Sequence, residues 1–323
     1  MIESQQSSKS RKNLDTVKFL NCDDVSMYTS EYSRNNVVSF DLHLQKQNLC
    51  HLQLINDLPE YLACDNLDLC YQPQIDLKTG KTKSVEALLR WKHQSAGSIP
   101  PDVFIPLAEQ SGYIHALTFR VLNCALRQLK AWKNTGFEIS VAVNLSTYNL
   151  YDNKFPGIVA DLLRKWSIPA QQLVLEITEG VIMHDPMKAI KTLSALRDLG
   201  TCLSLDDFGS GYSSLCYLGT LPISELKIDR SLVMDIDKNR KHATIVRSTI
   251  DLAKCLGLSV VAEGVEKKEV FSALTKFHCD TAQGFYFCKP VCSEELTPWL
   301  LNTNWGRSLY TSQACNTGSG PIF

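Results

Sequence analysis

Several features are scarce or missing in this 323-residue sequence. An excess of one charge is missing: 33 Lys and Arg face 34 Asp and Glu, a net charge of -1. That excludes a broad electrostatic surface for a nucleic-acid polymer or a bulk membrane, so any phosphate chemistry must depend on local charges or a metal. No run approaches the length of a membrane span, and the first thirty residues lack the apolar core of a secretion signal. The expectation is a cytoplasmic protein that stays where it is made. Cysteine is plentiful at 12, but framework spacing is absent: there is no CxxC, and only Cys288 and Cys292 lie close together, astride Pro290. This reads as buried, reduced core thiols, not a disulfide scaffold or a zinc site. A glycine-rich phosphate fingerprint is also missing after the first strand, which makes an open doubly wound sheet the second choice of fold.

What is present is alternation. Residues 1–48 are rich in Ser, Gln, Asn and charge at their start and read as a flexible arm or linker, with Asn36 to Leu49 open between a strand and a helix. Leu52, Leu54, Ile55, Leu58 and Leu62 recur at helical spacing and start the main domain, residues 49–302. Two strands, Leu67 to Ile75 and Ser84 to Trp91, precede the first helix. Strand and helix then alternate as Phe137 to Leu145, Leu173 to Glu179, the run around Leu203 to Asp207, Ile223 to Ile228, Leu258 to Val265 and Ala282 to Phe287. Helices are predicted over Val121 to Trp132, Ile158 to Trp166, Ala189 to Leu196 after the Asp185-Pro186 start, near Leu215 to Leu218, Val246 to Leu256, and Val270 to Leu274. Residues 303–323 read as a loose tail. About eight strand-helix repeats in about 250 residues predict an α/β fold, a single modified TIM-type (β/α)8 barrel with an irregular first strand.

In such a barrel the site collects at the carboxyl ends of the strands. Those positions hold Glu86, Asn144, Glu176, Asp206 with Asp207, Lys227 with Asp229, Glu263 and Gln283. Alone, the run Asp206-Asp207-Phe208-Gly209-Ser210-Gly211 is equally compatible with a solvated turn. Acids or an amide after so many successive apolar runs are not explained as independent accidents. Carboxylates and an amide, without His or Cys, form a hard oxygen site suited to Mg²⁺ or Mn²⁺. Glu86, Asn144, Glu176 and Asp206 could supply one ion, and Asp207 a second, with Asp206 bridging; such a pair can activate water and neutralise phosphoryl charge. Lys227 could hold the attacking water, stabilise charge on phosphorus oxygens, or pair internally with Asp229.

Nine ordered motifs over roughly residues 50 to 300 carry a family resemblance. They are Tyr71-Gln72-Pro73, Glu86 to Trp91, Phe104 to Glu109, Asn144-Leu145-Ser146, Leu175 to Glu179, Asp206 to Leu215, Lys227 to Arg230, Ala262 to Glu266 and Gln283-Gly284. The chain resembles the EAL-domain family of cyclic-di-GMP phosphodiesterases, named for the triplet that stands here as Glu86-Ala87-Leu88. The resemblance implies metal-dependent hydrolysis of cyclic di-GMP to linear pGpG by metal-activated water, with one or two Mg²⁺ or Mn²⁺ per site. It implies bacterial signalling of the kind behind biofilm formation and motility, and a homodimer. By motif, Glu86, Asn144, Glu176 and Asp206 look like first-metal ligands, Asp207 and Asp229 belong to the second-metal side, and Glu263 looks like a water-mediated ligand. Lys227 looks like the residue that positions water. Gln72, Leu88, Arg90, Asp229 and Gln283 fall at substrate-contacting positions, and Glu179 looks like the anchor of the loop after Asp207.

Three departures stand out: Ser210 replaces the usual threonine, Tyr113 a commoner leucine, and Leu232 a commoner phenylalanine. The rival function is a non-catalytic cyclic-di-GMP receptor; the whole ligand set and the lysine are present, which favours the enzyme. A third reading is docking of a protein partner through the N-terminal arm or the dimer face.

Overall fold

The computed structural model describes residues 51–63, 67–178, 185–210 and 218–306. The predicted arm over 1–48, Glu179, the helix start at Leu215 and most of the tail lie outside these described residues.

Eight strands close into a barrel. They are β1 (Asp68–Asp76), β2 (Lys81–His93), β4 (Ser140–Leu145), β5 (Leu173–Thr178), β6 (Cys202–Phe208), β7 (Glu225–Ile228), β8 (Ser259–Ala262) and β9 (Thr281–Gln283). The order around the ring is β1-β9-β8-β7-β6-β5-β4-β2, closed by β1 against β2. The short β3 (Gly97–Ile99) hangs on β2 as a hairpin outside the ring. Every barrel pairing is parallel except the two made by β1, which runs antiparallel to both β2 and β9. The irregular first strand is therefore a reversed one: only four residues, 77 to 80, lie between β1 and β2, and so short a connection permits only an antiparallel hairpin. Closure through β1 excludes the open sheet.

The helices follow their sequence signals. The helix over 51–63, α1, buries Leu54, Leu58 and Leu62 at a four-residue spacing, while Leu52 falls off that face and is exposed. Two helices, α2 (Pro101–Gln110) and α3 (Ile114–Asn134), follow β3. Trp132 of α3 packs edge-on against Tyr71 of β1 at 4.9 Å and donates its indole N–H to Thr297 Oγ1 at 2.8 Å. Further along come α4 (Thr147–Leu150), α5 (Phe155–Trp166) and α6 (Pro186–Asp198). Asp185 caps α6 by accepting from Lys188 N at 3.2 Å, and Pro186 takes the first turn, where its missing N–H costs nothing. The last four are α7 (Arg230–Val233), α8 (Arg240–Cys255), α9 (Lys268–Lys276) and α10 (Ser293–Asn302).

Two expectations are corrected. The last strand stops at Gln283 instead of continuing to Phe287, because Gly284 is pressed against the backbone of Val265. A Cβ there would lie 2.1 Å from the Val265 carbonyl oxygen, and Tyr286 N turns back to bond that oxygen. The cysteines are not all core residues: Cys124 and Cys279 are buried, but Cys70, Cys202, Cys288 and Cys292 are half-buried and Cys255 is exposed. No helix among the described residues is long and apolar enough to cross a membrane.

Candidate active site

Successive side chains on a strand point to opposite faces, so each barrel strand sends one set outward to the helices and the other inward. The outward sets are aliphatic and buried: Val141 and Val143, Leu175 and Ile177, Leu203 and Leu205, Leu226 and Ile228. The inward sets end in Glu86, Asn144, Glu176, Asp206 and Lys227, with Glu263 one residue past β8.

Lys227 is fully buried and sits in a ring of carboxylates. Its Nζ lies 2.7 Å from Glu263 Oε1, 3.0 Å from Glu176 Oε1, 3.1 Å from Asp206 Oδ2 and 3.8 Å from Glu86 Oε2. Among the described ion pairs of Lys227, Asp229 is not one. Burial alone would lower the ammonium's pKa, but the four acids, Glu176 first, hold it well above the usual lysine value. The surrounding carboxylates favour the charged form of Lys227.

The acids divide. Glu86 is fully desolvated, which would raise its pKa, yet Lys227 and the amides of Gln283 and Asn144 hold it below the usual glutamate value. Asn144 Nδ2 donates to Glu86 Oε1 at 2.9 Å, and Gln283 Nε2 donates to Oε2 at 2.6 Å. Glu176 is pushed well above the glutamate value by burial and then by the charge of Glu86. Among the described residues neither Glu176 oxygen accepts a hydrogen bond of good geometry, and its contact with Lys227 is an ion pair. Glu263 is raised to about 7, chiefly by burial. Asp207 is raised by partial burial and by Asp206 and Asp229.

Adjacent residues on a regular strand point apart, yet Asp206 and Asp207 serve one site. The register of β6 against β7 shifts between Leu205 and Phe208, and Asp207 adopts a left-handed φ of 57°. Asp tolerates that conformation better than most residues. Ser210 closes the turn, its N–H and its hydroxyl both donating to Asp207 O at 3.1 and 2.9 Å. Beyond it, Leu232 packs where a side chain on Gly209 would fall.

Two oxygen clusters result. Oxygens of Glu86, Glu176 and Asp206 lie within 4.8 Å of one another, as do those of Asp206, Asp207 and Glu263, so Asp206 belongs to both. The Glu176 oxygens, ion-paired with Lys227 but without an accepted hydrogen bond among the described residues, and the all-oxygen donor set fit a hard divalent cation. Asp229 is half-buried and caps α7, accepting from Ser231 N at 2.9 Å.

Below this ring runs an amide network that the strand-end reading missed. Gln283 Nε2 also donates to Gln72 Oε1 at 3.0 Å, Gln74 Nε2 donates to Gln283 Oε1 at 2.9 Å, and Ser84 Oγ donates to Gln74 Oε1. Gln72 Nε2 donates to the carbonyl of Cys288 at 3.0 Å. The signal was available: Gln74 and Ser84 stand two residues from Gln72 and Glu86, on the same face. Leu88 and Arg90, further up β2, line a cavity of about 400 Å³ together with Asn144 and Thr178, walled by α2 and α3 residues that are mostly apolar but include Asp102 and Glu109.

A closed, mostly parallel barrel with a charged ring at the carboxyl ends of its strands defines a class of proteins that place their chemistry at that mouth. The particular family follows from comparison: the EAL domain profile matches residues 33–290, and the chain belongs to the EAL domain family. The chain is 40% identical to the oxygen sensor protein DosP of Escherichia coli, over 75% of this chain and 30% of that protein. It is also 40% identical to the cyclic di-GMP phosphodiesterase NbdA of Pseudomonas aeruginosa, over 83% of this chain and 34% of that protein. The structure titled PaMucR phosphodiesterase, c-di-GMP complex, superposes with a TM-score of 0.71 at 39% identity, covering 76% of this chain and 99% of that one. The chain spans about a third of the length of these two curated relatives.

Proposed function

We propose that this chain hydrolyses one phosphodiester bond of cyclic di-GMP to give linear pGpG. The observation that carries the reading is Lys227, fully buried and held cationic among four carboxylates that fall into two oxygen clusters sharing Asp206. The names of NbdA and of the MucR complex supply the substrate class. Glu86, Asn144, Glu176 and Asp206 would hold one Mg²⁺ or Mn²⁺, Asp207 and Asp229 a second, and Glu263 would reach the pair through water. A divalent cation supplies a Lewis acid for water and for the phosphoryl oxygens.

The chain's own groups do the rest. Lys227, held protonated by the surrounding acids, donates hydrogen bonds, either fixing the attacking water or meeting charge as it grows on the phosphorus oxygens. Gln72 and Gln283 are held by the hydrogen bond from Gln283 to Gln72 and by Gln72 donating to the Cys288 carbonyl, and would present fixed edges to the nucleotide. Leu88 and Arg90 face the adjoining cavity, where Arg90 would meet a phosphate. Glu179 would anchor the loop after Asp207, a homodimer would couple to that loop, and the N-terminal arm would take a protein partner.

The test is turnover. Purified chain is incubated with cyclic di-GMP and Mg²⁺ or Mn²⁺, with a chelated control, and products are separated by chromatography. Linear pGpG that forms only with metal supports the reading; tight binding without product in either metal replaces it with a receptor.

A further inference from the structure

A second chemical feature lies at the rim of the same mouth. Tyr71 of β1 and Val291 form an isolated antiparallel bridge, exchanging N–H to carbonyl bonds of 2.7 and 3.1 Å. Moving one residue back along β1 and one forward from Val291 brings Cys70 opposite Cys292. Reciprocal bonds mark Tyr71 and Val291 as a hydrogen-bonded pair, so the next pair is the non-hydrogen-bonded kind, with Cα atoms about 4.5 Å apart. That falls inside the roughly 4.4–6.8 Å that disulfides span. The Cys292 thiol rests against Glu294 and Glu295 and turns about its Cα–Cβ bond to meet Cys70. Both residues keep extended backbone: Cys70 lies within β1, and Cys292 has φ -67° and ψ 164°. Both are half-buried, within reach of a small oxidant.

The position ties this pair to the site. Cys70 stands two residues before Gln72 and so on the same strand face, and its register partner on β2 is Leu88. Across the rim the order is therefore Leu88, Cys70, Cys292. The segment carrying Cys292 also supplies the Cys288 carbonyl that holds Gln72.

We propose that Cys70 and Cys292 form a reversible intramolecular disulfide that tightens the mouth beside Leu88 and weakens substrate binding. Its effect on binding rests on the phosphodiesterase reading; formation of the bond does not. With a peroxide as oxidant, one sulfur takes an oxygen and water leaves. The second thiol then attacks that sulfur and expels a second water. Two S–H bonds and one O–O bond are lost, one S–S bond forms, and two electrons pass from the sulfurs to the peroxide. A dithiol reverses the bond by exchange. A disulfide at a half-buried rim position stays within reach of an attacking thiolate.

The experiment uses the full chain treated with hydrogen peroxide, its remaining thiols alkylated, and the protein digested without reductant for mass spectrometry. A peptide pair joining Cys70 to Cys292, lost on treatment with dithiothreitol, is expected. The KM for cyclic di-GMP should rise roughly threefold or more at unchanged kcat, because the carboxylate ring is untouched and only substrate binding is weakened. Dithiothreitol should restore it, and Cys70→Ser or Cys292→Ser should remove the response. Alkylation of both thiols after oxidation overturns the proposal, as does a Cys288 to Cys292 link or an unmoved KM in fully linked protein. If the reduced chain has no turnover at all, the peptide map still decides the cross-link, and the phosphodiesterase reading fails by itself.

Discussion

Two layers of the barrel interior lie one step of the strand alternation apart. The upper holds Glu86, Asn144, Glu176, Asp206, Lys227, Glu263 and Gln283; the lower, two residues earlier on the same strands, holds Ser84, Ala142, Val174, Ser204, Glu225, Val261 and Thr281. The lower layer fills space with small, mostly uncharged groups, and its one acid, Glu225, reaches Lys83 at 3.5 Å and Ser259 Oγ at 3.2 Å near the barrel's edge. The upper layer concentrates charge that only a central cation makes tolerable, since isolated buried carboxylates would be heavily penalised. The same fold thus separates structural support from chemistry within two residues of each strand.

The largest break in this contrast should come from Lys227→Met. Removing the cation leaves acids in a dry ring, which should cost about 3–5 kcal/mol of metal-free stability. Turnover should fall at least ~10²-fold through the lost donor. Thermal melting with and without Mg²⁺, beside product formation, checks both; a variant that melts and turns over like the parent would remove Lys227 from the mechanism. Glu86→Ala should follow, abolishing metal-dependent turnover while circular dichroism stays that of a folded barrel. Hydrolysis at the parent rate would sink the site assignment.

A smaller effect concerns pH. Glu263, raised to about 7, and Glu176, raised by burial, must be deprotonated to bind a cation. Below the raised pKa the proton competes, so Mn²⁺ affinity should weaken about tenfold between about pH 8 and pH 6, with protons released on binding. Calorimetry in two buffers at each pH measures both; affinity that is flat across this range would contradict it. The smallest effect belongs to the lower layer. Ser204 Oγ is buried without a hydrogen-bond partner among the described residues, so Ser204→Ala should be neutral or stabilising by up to ~1 kcal/mol. Turnover of Ser204→Ala should stay at the parent level, and a large loss would show that the lower layer takes part in the chemistry.

Much of this was legible from residue order. Strands and helices announced themselves through periods of two and about 3.6, and the polar residue that ended each apolar run marked the mouth. The amide network was legible in principle but missed, because attention to strand ends passes over Gln74 and Ser84, one alternation below. The length of β9 was misjudged because the aromatic run Phe285 to Phe287 has the composition of a strand, whereas contact with Val265 forces the chain to turn. Asp229 caps α7, and Glu179 lies outside the described residues, so their roles, like those of the other site residues, are proposals.

The sequence by itself determined the alternating elements, the oxygen-only donor set and the family, since each depends on residue type at short spacing. Tertiary structure decided the rest. Closure through a reversed β1 depends on Gln74 meeting Gln283 across more than two hundred residues. The pairing of Asp206 with Asp207 depends on a register shift against β7, and the approach of Cys70 to Cys292 on a bridge between β1 and the segment just before α10. Local preference cannot encode such contacts, because they exist only once distant segments pack.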